Sequence, residues 1–231
     1  MTNVRVFTML AGILLLAGGI SVSAEEGVAV AIVYDNSGSM KQAVRTTAGR
    51  SEAKYLVANR ALLEVIRRVE TFATNMANGS PRKIQAGLFI FEGSGAKEVV
   101  KFGQFDAAAM REWVKNYPGP SAGTPLGAAL DLASKVVLKS SLSEKHVLVI
   151  TDGQNTAGPD PKTVLPRMQK AAEAQSASIF THFVAFDLDA AHFAPLKKLG
   201  VTVVGAADEK QLNAQLTFIL EEKILLEKET K

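Results

Sequence analysis

The chain has no cysteine among its 231 residues. No disulfide braces the fold, and no cysteine is present to carry a lipid behind a leader sequence. A surplus of one charge is also missing: 26 Lys and Arg face 23 Asp and Glu, for a formal net charge of +3. The basic residues are scattered among acidic ones, so nothing argues for a nucleic-acid partner. Aromatics are scarce at 6%. Trp113 and Phe89, Phe91, Phe180, Phe183 and Phe186 read as core rather than as a binding cage. Histidine is rarer still, with His146, His182 and His192 at a strand start, within a strand and on a surface helix, none near the chemistry described below. Beyond the first residues there is no apolar run long enough to span a membrane.

Those first residues read as a targeting segment. Arg5 is the one charge before Glu25, and an apolar stretch from Val6 to Ile20 leads into Ser21-Val22-Ser23-Ala24. The small residues suit cleavage after Ala24, and a run of about fifteen is short of the roughly twenty a membrane helix needs. The expected arrangement is a signal peptide over 1–24 and a single domain over 25–231, its core at about 28–223 and its charged tail frayed. An uncleaved N-terminal anchor is the alternative. The mature chain is then periplasmic or secreted.

Within that domain, strand and helix patterns alternate. Val28 to Tyr34 is a buried strand, followed by a polar loop over Lys41–Gly49. A helix is expected from about Ser51 to Asn75, with Leu56, Leu63, Ile66 and Val69 on its apolar stripe and Glu52, Lys54, Arg67 and Glu70 off it. Ile84 to Phe91 is a strand, and Glu98 to Phe102 its antiparallel hairpin partner. Helices follow over 106–115 and 126–139, a strand over Lys145–Thr151, a helix to about Gln175, and a strand over Ser178–Phe186. A short helix, a last strand at Val201–Val204 and a helix capped by Asp208 complete the chain. Strands separated by helices pair in parallel through right-handed crossovers. The fold class is α/β: a three-layer, doubly wound, mostly parallel sheet with one antiparallel strand, Rossmann-like in layout.

Asp35, Ser37 and Ser39 fall two apart on the turn after the first strand. In an open α/β sheet, ligands bind at the carboxyl ends of strands. Oxygen donors without His or Cys suit Mg²⁺, Mn²⁺ or Ca²⁺. Two further loops carry like donors: Ser121-Ala122-Gly123-Thr124-Pro125-Leu126-Gly127, and Thr151-Asp152-Gly153 at a strand end. Each piece alone has a plainer reading. Ser37 and Ser39 suit a capping turn, Thr124 an N-cap ahead of Pro125, and Asp152-Gly153 a simple turn.

Taken together, the Asp-x-Ser-x-Ser turn, the distant Thr124 and the distant Asp152 resemble the von Willebrand factor type A domain family, over about Val28 to Lys223. The resemblance implies a metal-ion-dependent adhesion site built from Asp35, Ser37, Ser39, Thr124 and Asp152. Ser37 and Ser39 would ligate directly, Thr124 directly or through water, and the two aspartates through water. It implies Mg²⁺, or Mn²⁺ or Ca²⁺, with a corner open to a Glu or Asp of a protein partner. Met40, Lys41, Gln42, Pro120, Ser121, Gln154 and Asn155 would rim the ion and meet that partner, or be ordinary loop residues.

The expected function is a metal-dependent protein-binding module of adhesion or scaffold type in the cell envelope, not an enzyme. The alternative is a Mg²⁺-dependent phosphohydrolase using Asp35 as nucleophile. It suffers from Ser37 standing where an acid/base carboxylate is needed, and from the lack of an evident lysine ahead of the Asp152 loop. A serine hydrolase lacks the Gly-x-Ser-x-Gly elbow, and Gly93-Ser94-Gly95 lacks the ending of a phosphate loop.

Overall fold

A computed structural model of the chain describes residues 24–77, 80–121 and 123–225. The expected signal peptide and the charged tail after Leu225 lie outside the described residues.

The first strand, β1 (Glu25–Tyr34), is buried from Val28 onward. Its apolar residues point alternately to two layers, as a strand covered on both faces requires. Val28, Val30, Ile32 and Tyr34 join one core cluster, and Ala29, Ala31 and Val33 the other. After β1, Gly38–Lys41 forms one 3-10 turn, and a small antiparallel hairpin follows: β2 (Ala43–Arg45) lies in the stretch expected to be loop, and β3 (Ser51–Ala53) takes the first residues expected to be helix. The helix α1 (Lys54–Thr74) follows, and a two-strand ribbon, β4 (Met76–Ala77) with β5 (Ser80–Pro81), closes it off.

Next come β6 (Ile84–Glu92) and β7 (Gly95–Gln104), an antiparallel hairpin as expected. Gly93 takes φ of 57° in the turn between them, a left-handed conformation that glycine adopts without steric cost. The chain continues through α2 (Ala107–Lys115), α3 (Leu126–Val137), β8 (Leu142–Thr151), α4 (Pro161–Glu173), β9 (Phe180–Phe186), α5 (Ala194–Lys197), β10 (Thr202–Ala206) and α6 (Glu209–Ile219). Asp106 caps α2 and Asp208 caps α6, each carboxylate accepting a backbone N–H three residues on. A π turn, Leu220–Ile224, ends the last helix and buries Leu220 and Ile224.

The main sheet has six strands in the order β10-β9-β8-β1-β6-β7. Only β7 runs antiparallel, so the architecture is the α/β sandwich expected. Helices α1, α2 and α6 cover one face, and α3, α4 and α5 the other. The register sets Tyr34 beside Ile90 on one side and Ile150 on the other, with Ile150 beside Val184. The chain therefore leaves β1, β8 and β9 at one edge, at Asp35, Asp152 and Asp187.

Two packing expectations are corrected. Leu56 and Leu63 are exposed, at 41% and 37%, because the buried stripe of α1 is Lys54, Val57, Ala58, Ala61, Leu62, Val65, Ile66 and Val69. Ile66 and Val69 lie on the stripe as expected, Val57 and Leu62 take the places expected of Leu56 and Leu63, and Lys54 is brought inside. Phe180 is 46% exposed, because it opens β9 at the lower rim of the sheet and leans on the His146 ring. Phe89, Phe91, Phe183 and Phe186 are buried, and Trp113 is half-buried.

Candidate metal centre

Three loops meet above the carboxyl ends of β1 and β8. Asp35 is fully buried, and both its oxygens are engaged. Oδ1 accepts the Ser37 backbone N–H at 2.7 Å, and Oδ2 accepts the Thr151 hydroxyl at 2.5 Å. Thr151 in turn accepts the Gly153 N–H at 3.1 Å, so the last residue of β8 ties the first and third loops together. Burial pushes the Asp35 carboxyl up to about 6, against hydrogen bonds from Ser37 and Thr151 that favour the carboxylate.

The 3-10 turn carries Ser39 back toward Ser37, and their Oγ atoms stand 2.9 Å apart. Ser39 donates to Asp152 Oδ1 at 2.7 Å. Thr124, 4% exposed, borders the same point: a Cβ added to Gly153 would stand 3.3 Å from Thr124 Oγ1 and 3.9 Å from Ser39 Oγ. Asp35, Ser37, Ser39, Thr124 and Asp152 are thus brought together.

The plainer readings of the pieces fare less well. The N-cap of α3 is Pro125, and no side chain caps that helix, so the Thr124 hydroxyl is not spent there. The Ser37 side chain likewise makes no capping bond to the 3-10 turn. The second and third loops are stitched by Thr156, whose hydroxyl accepts the Thr124 N–H at 2.9 Å and whose N–H reaches the Thr124 carbonyl at 2.9 Å.

The expected rim divides. Met40 is fully buried, and its place on the rim is corrected: the 3-10 turn points it down into the core against α1. Pro120 is buried as well. Lys41, Gln42, Ser121 and Gln154 are exposed. Asn155 is half-buried and accepts the Gly127 N–H at 3.2 Å, a structural bond between the third loop and α3. His192 is nearer the rim than expected, 2.9 Å from the Gln154 amide. His146 and His182 lie far below, in the body of β8 and β9.

Sequence reasoning missed Lys54. Its ammonium donates to Asp152 Oδ2 at 3.0 Å and to Gln42 Oε1 at 3.3 Å, and pairs with Asp187 Oδ2 at 3.0 Å. The Lys54 side chain is 4% exposed and that of Asp152 is fully buried. Burial works against the ammonium, but the bonds to Asp152 and Asp187 hold its pKa above the ordinary value. The sequence held no signal for it, since a lysine at the start of a helix ordinarily faces water.

A donor set of hydroxyls and two carboxylates is the kind hard cations take. Oxygens at neighbouring corners of a Mg²⁺ octahedron stand about 3.0 Å apart, given bonds near 2.1 Å. The separation of Ser37 and Ser39 fits that edge. Among the described residues no three His, Cys, Asp or Glu side chains are grouped to hold a metal, so any site here depends on its hydroxyls.

The chain is similar in fold to several solved proteins. It matches the PilB minor pilin from Streptococcus sanguinis at 14% identity with a TM-score of 0.64, covering 86% of this chain and 61% of that one. It matches the vWF domain of the type V pili tip protein Mfa5 from Porphyromonas gingivalis at 13% identity and 0.63, covering 89% and 98%. It also matches the proximal thread matrix protein 1 from the mussel byssus with a zinc-occupied MIDAS motif, at 15% and 0.57, covering 86% and 48%. The chain therefore spans less than two thirds of the pilin and about half of the byssus protein. At these identities the likeness concerns the fold alone. No curated protein sequence matches the chain. The family profile described as von Willebrand factor type A domain matches residues 29–221, and the chain belongs to that family.

Proposed function

We propose that this chain is a divalent-metal-dependent protein-binding module of adhesion or scaffold type. The observation that carries the reading is the run Ser37–Ser39–Asp152, with hydroxyls at octahedral-edge spacing and Thr124 beside them. Ser37 and Ser39 would hold Mg²⁺, or Mn²⁺ or Ca²⁺, with Thr124, while Asp35 and Asp152 orient hydroxyls and bound water. Held by these residues, a divalent ion would supply a Lewis-acidic centre able to take a Glu or Asp of a partner protein. Neutral hydroxyl donors leave most of the ion's charge for that carboxylate, and a charge-assisted contact of this kind can anchor a modest interface. Lys41, Gln42, Ser121 and Gln154 would border the docked partner. The adhesion-type reading is also supported by the pilin, pilus-tip and byssus proteins that share the fold. The zinc in the byssus protein's motif argues for testing several divalent ions.

Export with cleavage after Ala24, to the periplasm or beyond, is part of this proposal. No described helix is long and apolar enough to cross a membrane. The phosphohydrolase alternative gains no support from Lys54. An ammonium has three donors, and Asp152, Asp187 and Gln42 take them.

The test is affinity capture from the cell envelope in Mg²⁺ and in EDTA, beside melting curves of the purified chain. Mg²⁺ or Mn²⁺ should raise the melting temperature. Asp35→Ala should abolish the rise, and captured protein should be lost in EDTA and in Ser37→Ala/Ser39→Ala. Capture that survives both treatments would refute metal-dependent binding. Turnover of phosphoesters that vanishes in Asp35→Asn would favour the enzyme.

A further inference from the structure

Asp152 is shared. One carboxylate oxygen accepts the Ser39 hydroxyl inside the donor set, and the other accepts the Lys54 ammonium. That ammonium is enclosed, and the first residue of α1 brings it there through the β2–β3 hairpin: the Lys54 backbone N–H donates to the Gln42 carbonyl at 2.8 Å, just after the 3-10 turn. On its far side stands Asp187, the residue after β9. Asp187 holds φ of 50°, a left-handed conformation uncommon outside glycine, which aspartate tolerates better than most residues. Its side chain is 40% exposed, in contrast to the buried Asp152. A third strand end, which the five-residue site does not use, is thereby joined to the donor set through one lysine.

We propose that Lys54 is a resident counter-cation of the metal centre: it holds Asp152 in position without metal, and its charge sets the divalent affinity lower than the donor set alone would give. The inference rests on the metal reading of the same residues. Its basis is electrostatic. Any ion drawing on Asp152 shares that carboxylate with a fixed positive charge, and two like-signed charges on one buried carboxylate repel in a medium less screening than water. Asp187 works the other way, since it draws part of the ammonium's field away from Asp152. Lys54 is thus a positioning residue and a determinant of affinity, and Asp187 is its second anchor.

The experiment is calorimetric titration of the purified chain with Mn²⁺ and Mg²⁺, alongside melting curves in EDTA, for the wild type, Lys54→Met, Lys54→Arg and Asp187→Asn. Lys54→Met keeps the length and removes the charge. It should melt lower in EDTA, where Asp152 has lost its counter-ion, yet bind Mn²⁺ about tenfold tighter or more. Lys54→Arg should stay near the wild type in affinity. Asp187→Asn should weaken binding severalfold, and it keeps the proposal testable where Lys54→Met does not fold. A lysine that served only as a structural tie would change melting and leave affinity alone. The proposal is overturned on its own if the wild type binds Mn²⁺ while folded Lys54→Met binds it no tighter, or if Asp187→Asn leaves affinity unchanged. If neither the wild type nor Lys54→Met binds either ion, it falls together with the metal reading.

Discussion

Asn36 stands between Asp35 and Ser37 but serves the frame around them. It is 4% exposed; its Oδ1 accepts the Phe91 N–H at 2.9 Å, and its carbonyl accepts the Ser121 N–H at 2.9 Å. One residue therefore fastens the end of β6 and the start of the second loop to the first loop. Asn36→Ala leaves the buried Phe91 N–H without that partner. It should cost about 1–3 kcal/mol, the range for a buried donor deprived of its acceptor. Urea denaturation in EDTA measures this directly, and a loss below about half a kcal/mol would mean that water replaces the amide. The role could not be seen in the sequence, where Asn36 fills the variable position of Asp-x-Ser-x-Ser. Asp35, Ser37, Ser39, Thr124 and Asp152 could be picked out because each sits at a strand end or helix start with distinctive local context. Lys54 could not, since a lysine at the head of a helix ordinarily faces water. Only the β2–β3 hairpin, itself concealed in a polar stretch, turns it inward. Met40 misled in the opposite way: it adjoins two serines at the site, yet a single 3-10 turn rotates it into the core.

At the scale of elements, α3 is held where Thr124 needs it by a close approach of backbone to backbone. A Cβ on Gly127 would fall 2.0 Å from the Pro159 carbonyl oxygen and 3.2 Å from the Pro161 nitrogen, both ahead of or at the start of α4. Neither is a flexible side chain that could give way. Gly127→Ala must therefore separate α3 from the loop before α4, and that loop also carries Asn155 and Thr156, which bind the backbone of α3 and Thr124. We expect a loss of about 1–3 kcal/mol, as for other overpacked sites. A smaller metal-induced rise in melting temperature should accompany it, since Thr124 moves with the helix. An alanine variant with wild-type stability and wild-type metal response would show that the approach is not binding. The element pattern was readable where periodicity was unambiguous. The strands β1, β6, β8 and β9 are strongly apolar runs, and α6 shows a clear stripe. It failed on α1, whose apolar residues Leu56, Val57, Leu62, Leu63, Val65 and Ile66 offer two overlapping stripes. Packing against β1 and α6 chose between them, and sequence alone held no means to do so.

For the whole molecule, the two ends of the sheet respond to acid with opposite sign. At the lower end, His146 Nδ1 lies 3.1 Å from His182 Nε2, and the remaining ring nitrogens have no partner among the described residues. Phe180 stacks on His146, and Lys223 of the π turn bears on His182. Burial pushes His146 down to about 4; burial, then His146 and Lys223, push His182 to about 3. The unfolded chain takes up protons near 6.5 that the folded pair refuses, so this stability is complete above about pH 6.5 and is lost as pH falls from there toward 4. At the upper end, Asp35 without metal is raised to about 6, so the folded state protonates first, and its contribution grows as pH falls from about 6 toward 4. Glu64, Glu70 and Glu209, held below their ordinary value by Arg67, Arg111 and Arg60, lose ionisation only below this window. Two groups oppose one, so stability in EDTA should fall between pH 7 and pH 5 by about 1–3 kcal/mol. In His146→Leu/His182→Leu the opposition is gone, and the slope should flatten or reverse as Asp35 gains its proton. The two ends are far enough apart for the contributions to add. Urea midpoints at the two pH values for both proteins decide the matter. A wild type equally stable at pH 7 and pH 5, or a double variant that still loses stability in step with it, would show that the acid response lies outside the histidine pair.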